Sequence, residues 1–97
     1  MLGGVIRSFA DKETERVWRR CWSRTLAPAV QRVALRKLLI LDAAVVLDDL
    51  RVPPGNRLEK LQGDRVGQYS VRINQQWRVV FTWKQDGPHH VEIVDYH

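Results

Sequence analysis

The chain has few of the features that would set it apart from ordinary globular proteins. It contains one cysteine, Cys21, so it can form no intramolecular disulfide and no zinc site of the usual cysteine spacing. Its longest apolar run is broken by Asp42 and is shorter than the ~18 residues that a membrane-spanning helix needs. The first residues contain no apolar stretch of signal-peptide length. These absences predict a cytoplasmic protein that uses no membrane, metal or cofactor.

Length and charge indicate the number of domains and the kind of partner. Ninety-seven residues are enough for one compact core, so we expect a single domain over residues 1–97. Lys and Arg number 16 against 11 Asp and Glu, which gives a net charge of +5, and most of the cations are arginine. Because a guanidinium can bind two phosphate oxygens at once, this balance favours a nucleic acid or an acidic protein as partner. The alternative is that these cations lie on solvated helix faces and bind no partner.

The first half of the chain has the pattern of a helical hairpin. Val5–Phe9 alternates in polarity and is compatible with a short strand. Asp11 can cap a helix that continues to Trp22. A second apolar stripe with helical spacing begins at Pro28 and predicts a helix to about Leu50, before two consecutive prolines end it.

The second half changes to the alternating pattern of half-buried strands. Short turn sequences separate the alternating segments, so neighbouring strands are expected to be antiparallel. The segments are residues 69–74, 77–83 and 91–96, and Leu58–Gln62 is compatible with a further strand. The sequence therefore predicts an α+β fold in which an N-terminal helical hairpin packs on an antiparallel sheet.

Three short elements point to a known family. They are L-x-G-D-R at Leu61–Arg65, N-x-x-W-R at Asn74–Arg78, and the terminal Asp95-Tyr96-His97. In this order and spacing they resemble the HigB family of bacterial toxins within the RelE/ParE superfamily, and the likeness extends from Val5 to His97. The resemblance implies a RelE/ParE-like fold and a ribosome-dependent endoribonuclease that cuts translated messenger RNA. It also implies a neutralising HigA-type antitoxin with a helix-turn-helix domain, through which alone the pair would bind operator DNA.

RNA cleavage without a metal needs a base, an acid and groups that stabilise the charge on phosphorus. His97 is the best acid or base candidate, the alternative being a solvated terminal histidine. Asp95 is expected on the same strand face as His97, beside Arg78, where it would orient the imidazole or act as the base; otherwise it is a surface carboxylate. Tyr96 is expected on the opposite face, either as a core aromatic or, after a local twist, as a group that contacts RNA.

Cations and one tryptophan complete the predicted site. Arg78 is assigned to transition-state phosphate stabilisation, with a surface ion pair as the alternative. Arg65 either binds RNA or braces its turn through a salt bridge to Asp64. The remaining candidates for RNA binding are Arg57, Lys60, Arg72 and Trp77. For Trp77, core packing is favoured over stacking on a base, and core packing is also the expected role of Trp18 and Trp22.

The chain departs from the family pattern at two positions. Well-known members have a histidine where this chain has Glu59 and a lysine where it has Gln62. Glu59 can replace the histidine as general base, but Gln62 cannot replace a positive charge, so slower cleavage is expected.

Some questions stay open at the level of sequence. A non-enzymatic ParE-like toxin acting on DNA gyrase and a plain RNA-binding module are alternatives to a ribonuclease. The strand register around Asn74–Trp77 is undetermined, so the sequence does not say whether Arg72 and Arg78 share a face. Codon preference, the activating trigger, the stoichiometry with the antitoxin and whether the antitoxin covers the site are likewise undetermined.

Overall fold

The structure is a computed structural model that describes residues 5–96; residues 1–4 and His97 lie outside the described part. The elements are α1 Lys12–Trp18, α2 Pro28–Ala43, β1 Glu59–Lys60, β2 Gln68–Arg72, β3 Trp77–Lys84 and β4 Gly87–Asp95. The four strands form one antiparallel sheet in chain order. The α+β prediction is confirmed. Within residues 5–96, neither helix is long and apolar enough to cross a membrane.

The two helices cover one face of the sheet. Side chains of directly paired strand residues point to the same face, so the register assigns each strand residue to a side. On the covered face lie Val71, Val79 and Phe81, which form one buried cluster with residues of both helices, including Val17 and Leu38. The opposite face, which the helices leave uncovered, is called the open face below.

Helix α1 ends at Trp18, four residues earlier than predicted. Arg20 adopts a left-handed conformation (φ 62°), and the N–H groups of Arg20 and Cys21 donate to the carbonyls of Val17 and Arg16 at 3.0 and 2.8 Å. This is the Schellman arrangement that closes a helix C-terminus. Trp22 therefore lies outside the helix and is 61% exposed, so the expectation that it packs on the sheet is wrong. Trp18 does pack against the core.

Helix α2 ends at Ala43 and not near Leu50 as predicted. The carboxylate of Asp49 accepts the backbone N–H groups of Val45 and Val46 at 2.8 and 3.1 Å. A side chain that satisfies these N–H groups offers the backbone an alternative to continuing the helix. A short 3₁₀ helix, Leu47–Arg51, follows the break.

The strands predicted at Val5–Phe9 and Leu58–Gln62 are only partly realised. Residues 7–10 run beside β4 with backbone hydrogen bonds, but Phe9 and Val91 form the single parallel bridge there. A bulge in β4, where His90 has a positive φ of 53°, is incompatible with a regular ladder at this point. The predicted strand Leu58–Gln62 shortens to Glu59–Lys60.

Candidate active site

A basic cleft lies on the open face. Its volume is about 230 Å³, and it is lined by Arg57, Arg72, Asn74, Gln75, Arg78 and Tyr96. None of these described lining residues is acidic. Three guanidinium groups converging on one concave surface, without a carboxylate among them, form a site suited to a polyanion such as a phosphodiester chain.

The guanidinium of Arg78 is the most constrained group of the cleft. Its Nε donates to the Ser70 hydroxyl at 2.7 Å, and its Nη2 donates to the Arg57 carbonyl at 2.7 Å. The residue is only 9% exposed. Burial lowers the pKa of Arg78, an effect that Glu59 opposes, but arginine starts so far above neutrality that it stays charged. Arg78 is therefore a fixed, partly desolvated positive charge.

A tyrosine and a carboxylate flank this guanidinium. The Cζ atom of Arg78 lies 5.6 Å from the centroid of the Tyr96 ring, within the range of a cation–π contact. Glu59 in β1 pairs with Ser70 and so points to the open face, where its Oε1 lies 3.6 Å from Nη2 of Arg78. The competing expectation of an ion pair for Arg78 is thus partly realised, with Glu59 as the partner at the rim of the cleft.

The turn between β2 and β3 brings two of the arginines together. The Asn74 side-chain oxygen accepts the N–H groups of Gln76 and Trp77, each at 2.8 Å, which fixes the turn. The resulting register pairs Arg72 directly with Arg78, so the two share a face. This answers the question that the sequence left open. Asn74 and Gln75 were not predicted as site residues, although the N-x-x-W-R element already singled out Asn74.

The buried side chain of Asn56 fixes the backbone next to Arg57. The Nδ2 of Asn56 donates to the carbonyls of Leu50 and Val52 at 3.1 and 3.2 Å, and its Oδ1 accepts from Lys37 Nζ at 2.6 Å. Burial, and then the charge of Arg36, lowers the pKa of Lys37. These bonds hold the 3₁₀ turn Pro54–Asn56, whose next residue presents its carbonyl to Arg78. The position of the Arg57 carbonyl in the cleft thus depends on hydrogen bonds that Asn56 makes with Lys37, Leu50 and Val52.

The last strand departs from the predicted arrangement. Asp95 pairs with Trp77, and Arg78 pairs with Val94, so Asp95 faces the helix-covered side. The expectation that Asp95 stands beside Arg78 is therefore wrong, as is the placement of Tyr96 on the face away from it. Asp95 Oδ2 accepts from Gln76 Nε2 at 3.2 Å. His97, the predicted acid or base, lies outside the described residues.

Three other predicted RNA-binding residues do not line the cleft. Trp77 packs against the core on the covered face, so the prediction that it stacks on a base is corrected in favour of core packing. Lys60 is exposed and pairs with Tyr69, which points it away from the open face. Arg65 Nη1 contacts Gln68 Oε1 at 3.2 Å and Glu92 Oε1 at 3.4 Å. Arg65 therefore braces the sheet, although its partner is Glu92 and not Asp64.

The fold and the cleft together define a small α+β protein with a basic cleft on the open face of its sheet. Among residues 5–96, no three His, Cys, Asp or Glu side chains are grouped so as to hold a metal ion. The chain belongs to the RelE-like toxins of the type II toxin–antitoxin system HigB, because the model of that family matches residues 7–97. The resemblance found in the sequence is confirmed.

Two relatives accompany this match. Toxin HigB-1 of Vibrio cholerae serotype O1 is 43% identical over 76 residues, which cover 77% of this chain and 80% of the relative. An uncharacterized protein of Haemophilus influenzae is 36% identical over 55 residues, 57% of this chain and 54% of the relative. The protein is therefore a toxin of a type II toxin–antitoxin system, and such membership implies an antitoxin partner.

Proposed function

We propose that this toxin is a metal-independent endoribonuclease that cuts messenger RNA on the translating ribosome. The observation that carries the proposal is the guanidinium of Arg78, which is fixed on one side by Ser70 and by the Arg57 carbonyl and lines the basic cleft on the other. A positive charge fixed in advance stabilises charge that develops in a transition state without having to reorganise. Phosphodiester cleavage develops such charge on the phosphate oxygens.

The proposed reaction uses the RNA's own 2′-hydroxyl. A base takes the proton of this hydroxyl, the O2′–P bond forms, and the P–O5′ bond breaks. An acid protonates the departing 5′-oxygen, so the products are a 2′,3′-cyclic phosphate and a new 5′-hydroxyl end. Arg78 stabilises the phosphorane oxygens, while Arg57 and Arg72 hold the neighbouring phosphates.

The proton-transfer groups are assigned by position and chemistry. Glu59 is proposed as the base because its carboxylate reaches the rim of the cleft beside Arg78. His97 is proposed as the acid on chemical grounds, since imidazole exchanges protons near neutrality. Tyr96, whose ring lies against the Arg78 guanidinium, is proposed to contact the substrate. Asp95, two residues before His97 in the sequence, is proposed to orient the His97 imidazole.

The partners follow from the family. The proposed antitoxin is of the HigA type with a helix-turn-helix domain, so that operator DNA is bound only through it. The proposed substrate, ribosome-bound messenger RNA, would place the protein in the cytoplasm.

The test is a purified translation system with one defined messenger RNA. We expect new 5′ ends to appear within the translated frame when wild-type toxin is added, and no such ends when initiation is blocked. Arg78→Ala should lower the cleavage rate by about 100-fold or more, the effect of removing one fixed transition-state donor. His97→Ala should lower it by at least about 100-fold, as expected for a general acid.

A matched control is Lys84→Ala, which removes an exposed cation at the far end of β3. It should cleave like the wild type. Absence of new 5′ ends with a toxin that still arrests growth would contradict the ribonuclease proposal and favour the gyrase alternative. Full activity of both Arg78→Ala and His97→Ala would leave the proposed site without support.

The two departures from the family pattern give a separate test. Gln62→Lys restores the cation that family members have at this exposed position, and we expect it to cleave faster than the wild type. An unchanged rate would show that the missing charge does not limit the reaction.

A further inference from the structure

A connected series of hydrogen bonds runs from helix α2 to the cleft. It begins at Lys37, whose Nζ donates to Oδ1 of Asn56 at 2.6 Å. Asn56 is fully buried, and its backbone N–H donates to the Pro53 carbonyl at 2.9 Å. The next residue is Arg57, whose carbonyl accepts from Nη2 of Arg78 at 2.7 Å. Lys37 therefore lies at one end of a series that ends on the guanidinium of Arg78.

The backbone of Arg57 has a conformation that residues with a side chain rarely adopt. Its φ is 45° and its ψ is 57°, in the left-handed region. For a residue other than glycine this conformation costs free energy, so it persists only where the surrounding contacts impose it. These contacts are the bond from the Arg57 N–H to the Pro54 carbonyl at 3.1 Å and the side-chain bonds of Asn56. Strain that is kept at the acceptor for Arg78 indicates a functional position.

The Arg57 carbonyl fixes the plane of the Arg78 guanidinium. A guanidinium carries its N–H donors in one rigid plane. A single hydrogen bond would leave the group free to turn about that bond, whereas acceptors at both Nε and Nη2 define the plane. Ser70 is the acceptor at Nε and Arg57 is the acceptor at Nη2. The directions of the remaining N–H groups, which are left for a substrate, therefore depend on where the Arg57 carbonyl stands.

Lys37 contributes a charged donor to this series. Among residues 5–96, it forms no ion pair, and its ammonium group donates to the neutral side chain of Asn56. A bond from a charged donor is stronger than a neutral one, and it polarises the amide that accepts it. The polarised amide is a better donor to the Leu50 and Val52 carbonyls. Loss of the Lys37 ammonium therefore loosens the turn that precedes Arg57.

We propose that Lys37 is a positioning residue for the cleavage reaction. Through Asn56 and the Arg57 carbonyl it fixes the guanidinium plane that stabilises the transition state. Lys37 is on α2 and does not line the cleft, so it acts without touching the substrate. Its effect on cleavage rests on the proposed function, but its hold on the guanidinium is a property of the free protein. A purely structural role would lower stability and leave the rate of each folded molecule unchanged.

The first test measures cleavage in the purified translation system. Lys37→Met removes the charged donor and keeps most of the aliphatic stem, and circular dichroism and Tm check the fold. At a temperature well below Tm, kcat should fall about tenfold and KM should change by less than about twofold, because positioning is needed in the transition state. The matched control is Arg36→Met, which removes the exposed neighbouring cation of α2 and should cleave like the wild type.

A double-mutant cycle tests whether Lys37 acts through Arg78. In an Arg78→Ala background no guanidinium is left to position, so adding Lys37→Met should lower the residual single-turnover rate by less than about twofold. A further loss of about tenfold in that background would show independent effects and overturn the proposal. So would a wild-type kcat in the Lys37→Met variant alone.

A nuclear magnetic resonance measurement follows Arg78 without any cleavage. The Nε–H signal of Arg78, identified by its loss in Arg78→Ala, reports the bond to Ser70. Lys37→Met should speed the exchange of this proton with water by about tenfold, as expected for easier local opening, and Arg36→Met should not. Unchanged exchange in Lys37→Met would overturn the proposal.

Two further provisions keep the outcomes separate. If Lys37→Met does not fold, Lys37→Gln replaces it in all three measurements with the same criteria, because its shorter, uncharged side chain also removes the ammonium. A wild-type protein that cleaves no RNA, together with faster Nε–H exchange in the Lys37 variant, would contradict the proposed function and support the positioning. Cleavage by the wild type and an unaffected Lys37 variant would contradict only the positioning.

Discussion

The two faces of the sheet are built from the same strands but have opposite characters. On the covered face, Val71, Val79 and Phe81 are at most 1% exposed and carry no charge. On the open face, Arg72 and Arg78 alternate with them along the same strands and line a cleft. The covered face buries apolar area, which stabilises the fold. On the open face, holding like charges close together lowers the free energy of unfolding.

The cleft keeps three mutually repelling positive charges close together in a small protein. Arg57, Arg72 and Arg78 repel one another, and the charges of Arg57 and Arg72 help to lower the pKa of Arg78, after burial as the main cause. The repulsion is tolerated because the covered face fixes the register and the Asn56 turn fixes the loop. A polyanion relieves the repulsion when it binds, so the arrangement favours the bound state.

The largest effect is expected from the covered face. Phe81→Ala removes a fully buried ring from the core and should lower the free energy of unfolding by about 3–5 kcal/mol. Urea denaturation measures this. Thr82→Ala, one residue further and on the open face, is the matched control and should cost less than about 1 kcal/mol. Equal losses in the free energy of unfolding would mean that the covered face does not stabilise the fold more than the open face.

The next effect concerns the bond that fixes Arg78. Ser70→Ala leaves the buried Nε without its acceptor, which costs about 1–3 kcal/mol, and it lets the guanidinium move. We expect kcat for cleavage to fall about tenfold with little change in KM, because positioning is needed in the transition state more than in binding. Thr82→Ala again serves as control. A change confined to KM would assign Ser70 to substrate binding.

A smaller effect is expected for Arg72, whose proposed role is to bind the RNA backbone. Arg72→Ala should weaken binding of a single-stranded oligonucleotide to a similar degree for every sequence. It should also reduce the slope of log K against log salt concentration by about 0.7, the value for one phosphate contact on a single strand. Lys84→Ala should leave the slope as it is. A sequence-dependent loss would indicate that Arg72 reads bases.

The smallest effect lies in the loop that supports the cleft. The Val46 and Val45 N–H groups hold the pKa of Asp49 below its usual value of 3.8, so its stabilisation is present above that pH and is lost as the pH falls through the lowered pKa. Asp49→Ala should therefore lower Tm at neutral pH and differ little from the wild type near pH 2. Asp48→Ala, an exposed neighbour, is the control. A pH-independent difference would show that the carboxylate charge is not involved.

Much of the architecture could be predicted, and the errors have identifiable causes. Apolar periodicity identified both helices and the three long strands. The helix ends were misjudged because Arg20 and Asp49 end their helices through local hydrogen bonds that the apolar pattern does not record. Among the residues predicted as site candidates, Arg57, Arg72, Arg78 and Tyr96 do line one cleft. Asp95 was assigned to the wrong face because a one-residue difference in register reverses every side chain.

The sequence by itself determined which residues are apolar, at which period they recur, and that arginine outnumbers the acidic residues. Those properties decide the classes of element, and three short sequence motifs carry the family resemblance. Only the tertiary structure decided that Arg72 stands opposite Arg78, that Asn56 supports Arg57, and that Trp22 stays exposed. Each of these depends on groups that are distant in the chain or on hydrogen bonds at a turn, and such contacts are selected by the packing of the whole molecule.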